Sequence, residues 1–147
     1  MKIALCFSGQ ARSFESGYEY YEKNLFDHYD VDVYIHTWKF DQDRKLLELY
    51  RPVSYEFENP PLGNFDERYT NTPNAQKHPP RFTYRMLYST YKCSQLINKQ
   101  YDWIIKSRTD YALNVVIPFS ELDKSKLYIP NCRMVPERDF GNDQFAF

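Results

Sequence analysis

The sequence predicts an α/β fold, a mostly parallel sheet flanked by helices, and three observations carry that reading. Residues 3–7, Ile-Ala-Leu-Cys-Phe, form an unbroken apolar run closed by Ser8 and Gly9, the pattern of a short strand buried on both faces. Phe14, Tyr18, Tyr21, Leu25 and Tyr29 then recur at helical spacing. Residues 31–38, VDVYIHTW, return to β-branched and aromatic character, which completes a strand-helix-strand unit.

The remaining elements follow in order. Ser13 and Ser16 are available to cap the first helix, with acidic residues in its first turn. Residues 41–50 read as a short helix on Leu46, Leu47 and Tyr50, and residues 53–57 as a third strand that stops before Asn59-Pro60-Pro61. Residues 60–80 change to Asn, Pro, Gly, Thr and charge without periodicity and are expected to form a long loop. Over residues 83–100 the spacing predicts a helix of about five turns, with Met86, Thr90, Cys93 and Ile97 on one face and Leu87, Tyr91 and Leu96 beside it. Trp103-Ile104-Ile105 forms a strand that runs into Lys106-Ser107-Arg108-Thr109-Asp110, and residues 126–129 give one more brief strand, for a sheet of about five strands. The final Gln144-Phe145-Ala146-Phe147 carries no closing turn, so the domain is expected to be truncated at its C-terminus.

Composition narrows the function classes. A chain of 147 residues buries one core, so residues 1–147 are read as a single domain or one large piece of a domain. Hydrophobic residues make up 42% and charged residues 27%, which argues against wholesale disorder. The formal net charge of -1 supplies no global field for a polyanion, which disfavours nucleic acid as the main partner. The longest apolar stretches fall far short of the ~20 residues a membrane span needs, and the start turns polar too soon for a leader peptide, so a cytoplasmic location is expected. Cys6, Cys93 and Cys132 are few and widely spaced, which indicates neither a disulfide framework nor a zinc site. The 14 Tyr, 11 Phe and 2 Trp offer flat faces suited to stacking on bases or sugars as well as to filling a core.

In open parallel α/β sheets ligands lie beyond the carboxyl ends of the strands, so the residues that follow each apolar run are the candidates. After the first strand, Gly9 permits close backbone approach, Gln10 and Arg12 follow, and the next helix offers N–H groups to a phosphate. A tight strand-to-helix turn with a solvated Arg has the same appearance. At the end of the second strand His36, Thr37 and Trp38 supply a donor-acceptor pair and a large ring for a base or ribose, although a core Trp with a satisfied His reads alike. In the third place Lys106, Arg108 and Asp110 end a strand in charge. A carboxylate there suits Mg²⁺ or Mn²⁺ bridging a diphosphate, with the cations neutralising departing phosphates; the plain alternative is a surface Arg-Asp pair.

The ordered blocks FSGQAR (residues 7–12), IHTW (35–38), TYRMLYSTYKCSQL (83–96), DWIIKSRTDY (102–111) and NDQFAF (142–147) resemble those of small glycosyltransferases of bacteria and large DNA viruses. The resemblance spans nearly the whole chain apart from residues 60–80. It implies a GT-A-like, Rossmann-like fold whose part present here binds a nucleotide-sugar donor and transfers the sugar to a glycan or other hydroxyl acceptor. It places Gly9, Gln10 and Arg12 beside the nucleotide, His36, Thr37 and Trp38 near the nucleoside, and Arg108 and Asp110 where GT-A enzymes keep a metal motif. That motif departs from the usual pattern, since Arg108-Thr109-Asp110 offers one carboxylate instead of two. The resemblance also makes Asp143, with Asp139 nearby, the carboxylate that meets the acceptor hydroxyl; without it Asp143 reads as a helix N-cap. Two other classes fit parts of the sequence. One is a catalytically silent nucleotide- or glycan-binding module. The other is an ATP-dependent adenylating enzyme, because FSGQARS resembles in part a pyrophosphate-binding SGGxDS loop while lacking its second Gly and its Asp.

Overall fold

Four parallel strands in the order β3-β2-β1-β4 form the sheet of this computed structural model, which describes residues 1–63, 73 and 79–128. The elements are β1 (Lys2–Ser8), α1 (Phe14–Tyr21), a π-helical turn (Glu22–Phe26), β2 (Asp30–Trp38), α2 (Asp43–Tyr50), β3 (Ser54–Glu58), α3 (Pro80–Gln95) and β4 (Trp103–Ser107), followed by a 3₁₀ turn (Phe119–Glu121). The α/β architecture expected from the sequence is therefore present and Rossmann-like. β1 pairs with β2 from Lys2↔Asp30 to Ser8↔His36 and with β4 from Ile3↔Trp103 to Phe7↔Ser107. Flanked on both sides, it buries six consecutive residues, which is why it lacks the polar alternation of a one-sided strand.

Alternate residues of β1 serve opposite layers, as the period of a strand requires. Ile3, Leu5 and Phe7 pack with Phe14, Tyr21 and Leu25 on the face covered by α1 and α2. Ala4 and Cys6 pack with Tyr34 and Cys93 of α3 on the other. Small side chains on that second face let α3 lie close to the sheet.

Several local expectations need correction. Ser13 occupies the N-cap position of α1 but makes no side-chain cap bond and takes a left-handed φ of 43°, while Ser16 lies inside the helix. The apolar spacing that runs on to Tyr29 is broken by the π turn, because the Asn24 side-chain amide donates to the Tyr20 carbonyl at 3.1 Å. That oxygen is the acceptor Asn24's own N–H would use in an α-helix, and an inserted side chain unseats the ladder there. α3 starts at Pro80, which suits a first helical position, and stops at Gln95, five residues short of the expected end. Leu87 and Tyr91 are exposed, and the residues α3 buries are Ser89 and Cys93. Residues 126–128 are not a strand, so the sheet has four strands among the described residues; Ile129, most of the 60–80 loop and the C-terminal run lie outside them.

Candidate functional site

The strand order makes one place special. From β1 the chain steps through β2 to β3 on one side, whereas β4 joins β1 on the other, so the connections diverge at the carboxyl ends of β1 and β4. In doubly wound sheets such a switch point is where a crevice opens. A cavity of about 640 Å³ lies there, within the usual range for ligand pockets, and its walls come from five segments among the described residues. Ser8, Gly9, Gln10 and Arg12 follow β1, Trp38 and Lys39 follow β2, Phe82, Arg85 and Met86 belong to α3, and Lys106 and Arg108 come from β4 and its end. Pro60 closes one side.

Five residues with cationic side chains, Arg12, Lys39, Arg85, Lys106 and Arg108, therefore line this cavity, and none of the described residues lining it is a carboxylate. Each guanidinium is anchored by a protein group. Arg12 Nε donates to Gln10 Oε1 at 3.1 Å, Arg85 Nε to the Pro61 carbonyl at 3.0 Å, and Arg108 grips Asp110 through Nε–Oδ1 at 2.8 Å and Nη2–Oδ2 at 2.6 Å. Cations gathered around a low-dielectric concavity raise the local positive potential well above what a net charge of -1 suggests.

The turn after β1 is held by the protein itself. Gly9 has φ 98°, a backbone region that favours glycine, and a Cβ there meets nothing within 4 Å, so conformation and not space selects the residue. Its N–H is shared between Ser89 Oγ at 2.6 Å and the His36 carbonyl at 3.2 Å. The Ala11 N–H donates to Thr37 Oγ1 at 3.1 Å. These two amides already have acceptors, and Gln10 and Arg12 line the cavity beside them.

His36 and Thr37 stand behind the cavity wall. His36 is fully buried, with Nδ1 hydrogen-bonded to Ser89 Oγ and Nε2 to Glu58 Oε1, each at 2.7 Å. Both ring nitrogens are thus engaged within the protein, and the direct nucleoside contact expected of His36 and Thr37 is replaced by support of the Gly9 turn and the end of β2. Trp38, the third residue of that block, does line the cavity, stacked on Tyr88 with centroids 6.4 Å apart and planes at 23°. Ser89, Glu58, Arg85 and Lys39 escaped the sequence reading. Lys39 directly follows the IHTW block, which was the available signal.

Asp110 lies beside the cavity, its side chain 21% exposed, and both its oxygens face Arg108. A divalent cation bridging a diphosphate needs several oxygen ligands. The described residues do not fit one: Asp110 is closed by Arg108, and no group of three or more His, Cys, Asp or Glu is placed to hold an ion among them. Asp139 and Asp143 lie outside the described residues.

No family model matches the chain, and no curated protein or solved structure matches it either. No described helix is long and apolar enough to cross a membrane.

Proposed function

We propose that the chain is the donor-binding part of a GT-A-like glycosyltransferase that moves a sugar from a nucleotide-activated donor to an acceptor hydroxyl. The observation that carries this reading is the cavity at the β1/β4 switch point, lined by Arg12, Lys39, Arg85, Lys106 and Arg108. A diphosphate leaving group departs with negative charge, and fixed cations already in place stabilise that charge as it develops. Arg12, Lys106 and Arg108 take this role. Trp38 and the exposed Phe82 supply flat apolar faces for the nucleoside.

In the transfer the bond between the anomeric carbon and the diphosphate oxygen breaks, the oxygen keeps the electron pair, and a bond to the acceptor oxygen forms. If the anomeric centre inverts, the acceptor's proton goes to a carboxylate, the role the resemblance gives to Asp143 with Asp139 nearby. The adenylating alternative is less well served, because a pyrophosphate loop works through backbone N–H groups and two of those here, Gly9 and Ala11, donate within the protein.

Thermal unfolding in the presence of UDP, GDP and ADP tests the binding half of the proposal. A ligand held by the native state alone raises the midpoint by mass action, and no shift from any of the three at millimolar concentration removes the reading. Release of free sugar from the matching nucleotide sugar tests the other half, since a silent module binds the diphosphate and never turns the donor over.

A further inference from the structure

We infer that Tyr88 is a positioning residue: together with His36 it fixes the indole of Trp38 in the cavity wall, so that the base of a nucleoside diphosphate stacks on the indole face turned away from Tyr88. The inference rests on the nucleotide reading for the class of ligand and goes beyond it in naming what holds the ring on which the base lies.

His36 and Trp38 are two residues apart on β2, so both point to one face of the sheet. It is the face α3 covers, since Ser89 of that helix meets His36. Thr37, between them, points to the other face, where its Oγ1 accepts the Ala11 N–H. Trp38 therefore ends β2 beneath the same helix that carries Tyr88.

Three rings then contact one another. Trp38 lies nearly parallel to Tyr88, with centroids 6.4 Å apart and planes at 23°. His36 stands across Trp38 at 5.4 Å and 90°, and across Tyr88 at 6.1 Å and 70°. Such stacked and edge-to-face pairs are favourable geometries for aromatic rings, and each ring blocks rotation of the other two. His36 is itself fixed, because Ser89 and Glu58 engage both its nitrogens. The Tyr88 hydroxyl donates to the second oxygen of the same Glu58 over a long 3.4 Å, and Glu58 lies opposite Trp38 in the register of β2 with β3. The indole is thus held from two sides by groups that have little freedom to move.

Of the three rings, Trp38 is the one that lines the cavity, and it is half-buried. Tyr88 acts on a ligand through Trp38 and not by touching it. Stacking of a base on an aromatic side chain tolerates any base, since each has a flat π-face, and a ring already fixed loses little freedom when the ligand arrives. Trp38 ends β2, whereas Gln10 and Arg12 follow β1. Neighbouring strands lie about 4.8 Å apart, which leaves a ribose to bridge a base on the indole and a phosphate at the β1 turn.

Calorimetric titration of the wild-type chain, Trp38→Leu, Tyr88→Leu and Tyr88→Phe with UDP, GDP, ADP and inorganic pyrophosphate tests the inference, with tryptophan emission followed alongside. The wild-type chain should bind a nucleoside diphosphate with a change in emission that Trp38→Leu abolishes. Trp38→Leu and Tyr88→Leu should each weaken that binding by about tenfold and leave the affinity for pyrophosphate, which has no base, unchanged. Tyr88→Phe keeps the ring and loses only the long contact to Glu58, so it should stay within about twofold of wild type. Tyr88→Met, closer in volume, carries the test if circular dichroism shows that the Leu variant fails to fold. Nucleotide affinity that is unchanged on removal of the Tyr88 ring, or lost equally in Tyr88→Phe, overturns the inference and leaves the nucleotide reading standing. Equal weakening of nucleotide and pyrophosphate by Tyr88→Leu also overturns it, because the residue then supports only the fold. Absence of binding by all three nucleotides to the wild-type chain removes the nucleotide reading and the inference with it.

Discussion

Gly17 lies against Thr109 so closely that a Cβ on it would overlap the Thr109 carbonyl oxygen. α1 and the turn that carries Arg108 and Asp110 therefore meet backbone to backbone, and the hydrogen bond between Tyr21 Oη and Ser107 Oγ at 2.6 Å ties the same two segments one helical turn further on. Replacing Gly17 with Ala forces the turn away from the helix. Overpacking of this kind costs about 1–3 kcal/mol, so Gly17→Ala should lower the unfolding free energy measured in urea by that amount and weaken diphosphate binding as well. Unchanged stability would mean the two segments separate freely.

Ser89 supports the Gly9 turn from behind. Its hydroxyl accepts the Gly9 N–H, meets His36 Nδ1 and donates to the His36 carbonyl at 3.1 Å. Ser89→Ala leaves a fully buried imidazole nitrogen without that partner, at a cost of about 1–3 kcal/mol. Ser89→Ala should reduce both the unfolding free energy and the affinity for nucleoside diphosphate, whereas the exposed Ser94→Ala should alter neither.

Acid sensitivity is expected at the opposite end of the sheet. Burial raises the Asp32 pKa, but the Tyr101 hydroxyl at 2.6 Å, Lys2 and Lys99 outweigh it, and the net shift is downward. A carboxyl group with a lowered folded-state pKa contributes stability that is present above its unfolded value of about 4 and is lost as pH falls through the folded one. Asp32→Asn should therefore flatten the acid limb of the stability curve below about pH 4 and lower stability at neutral pH. Urea midpoints measured from neutral pH into the acid range decide it; parallel curves for the two proteins would exclude this role.

Cys6 and Cys93 are buried free thiols facing each other across the second layer. Hydrogen bonding to Cys6 and then burial push the Cys93 thiol well above its ordinary range, and the thiolate is the reactive form. In a Cys132→Ser background the native chain should resist iodoacetamide and take up two equivalents when unfolded. Rapid labelling of the native protein at Cys93 would contradict the packing of α3 on β1.

Strand ends were the most legible part of this molecule. β1, β2 and β4 announce themselves because their apolar runs stop at polar or charged residues, and the positions just beyond them, Gly9, Gln10, Arg12, Trp38, Lys106 and Arg108, do meet at one cavity. What stayed hidden depends on packing between distant segments. Ser89 looks like a polar gap in an apolar stripe until α3 sets it against His36, more than fifty residues earlier in the chain. Arg85 and Lys39 look like solvated cations until α3 and the end of β2 converge. His36 had the residue type of a ligand contact, yet Glu58 and Ser89 engage both its nitrogens, a pairing no local spacing encodes. The helical period past Tyr21 hid the π turn, since one Asn side chain suffices to displace the ladder.

The central position of β1 also has a consequence for how the chain acquires its shape. Its neighbour on one side is β4, and the Lys2 N–H reaches Asp102 across a separation of 100 residues. During synthesis the first strand can find β2 early, but its other edge waits until a hundred more residues have emerged. Contacts of such long range slow folding, and a bare apolar edge is prone to adhere to other chains meanwhile. Yield at elevated temperature, or in cells short of chaperones, should therefore be governed by how soon β4 arrives.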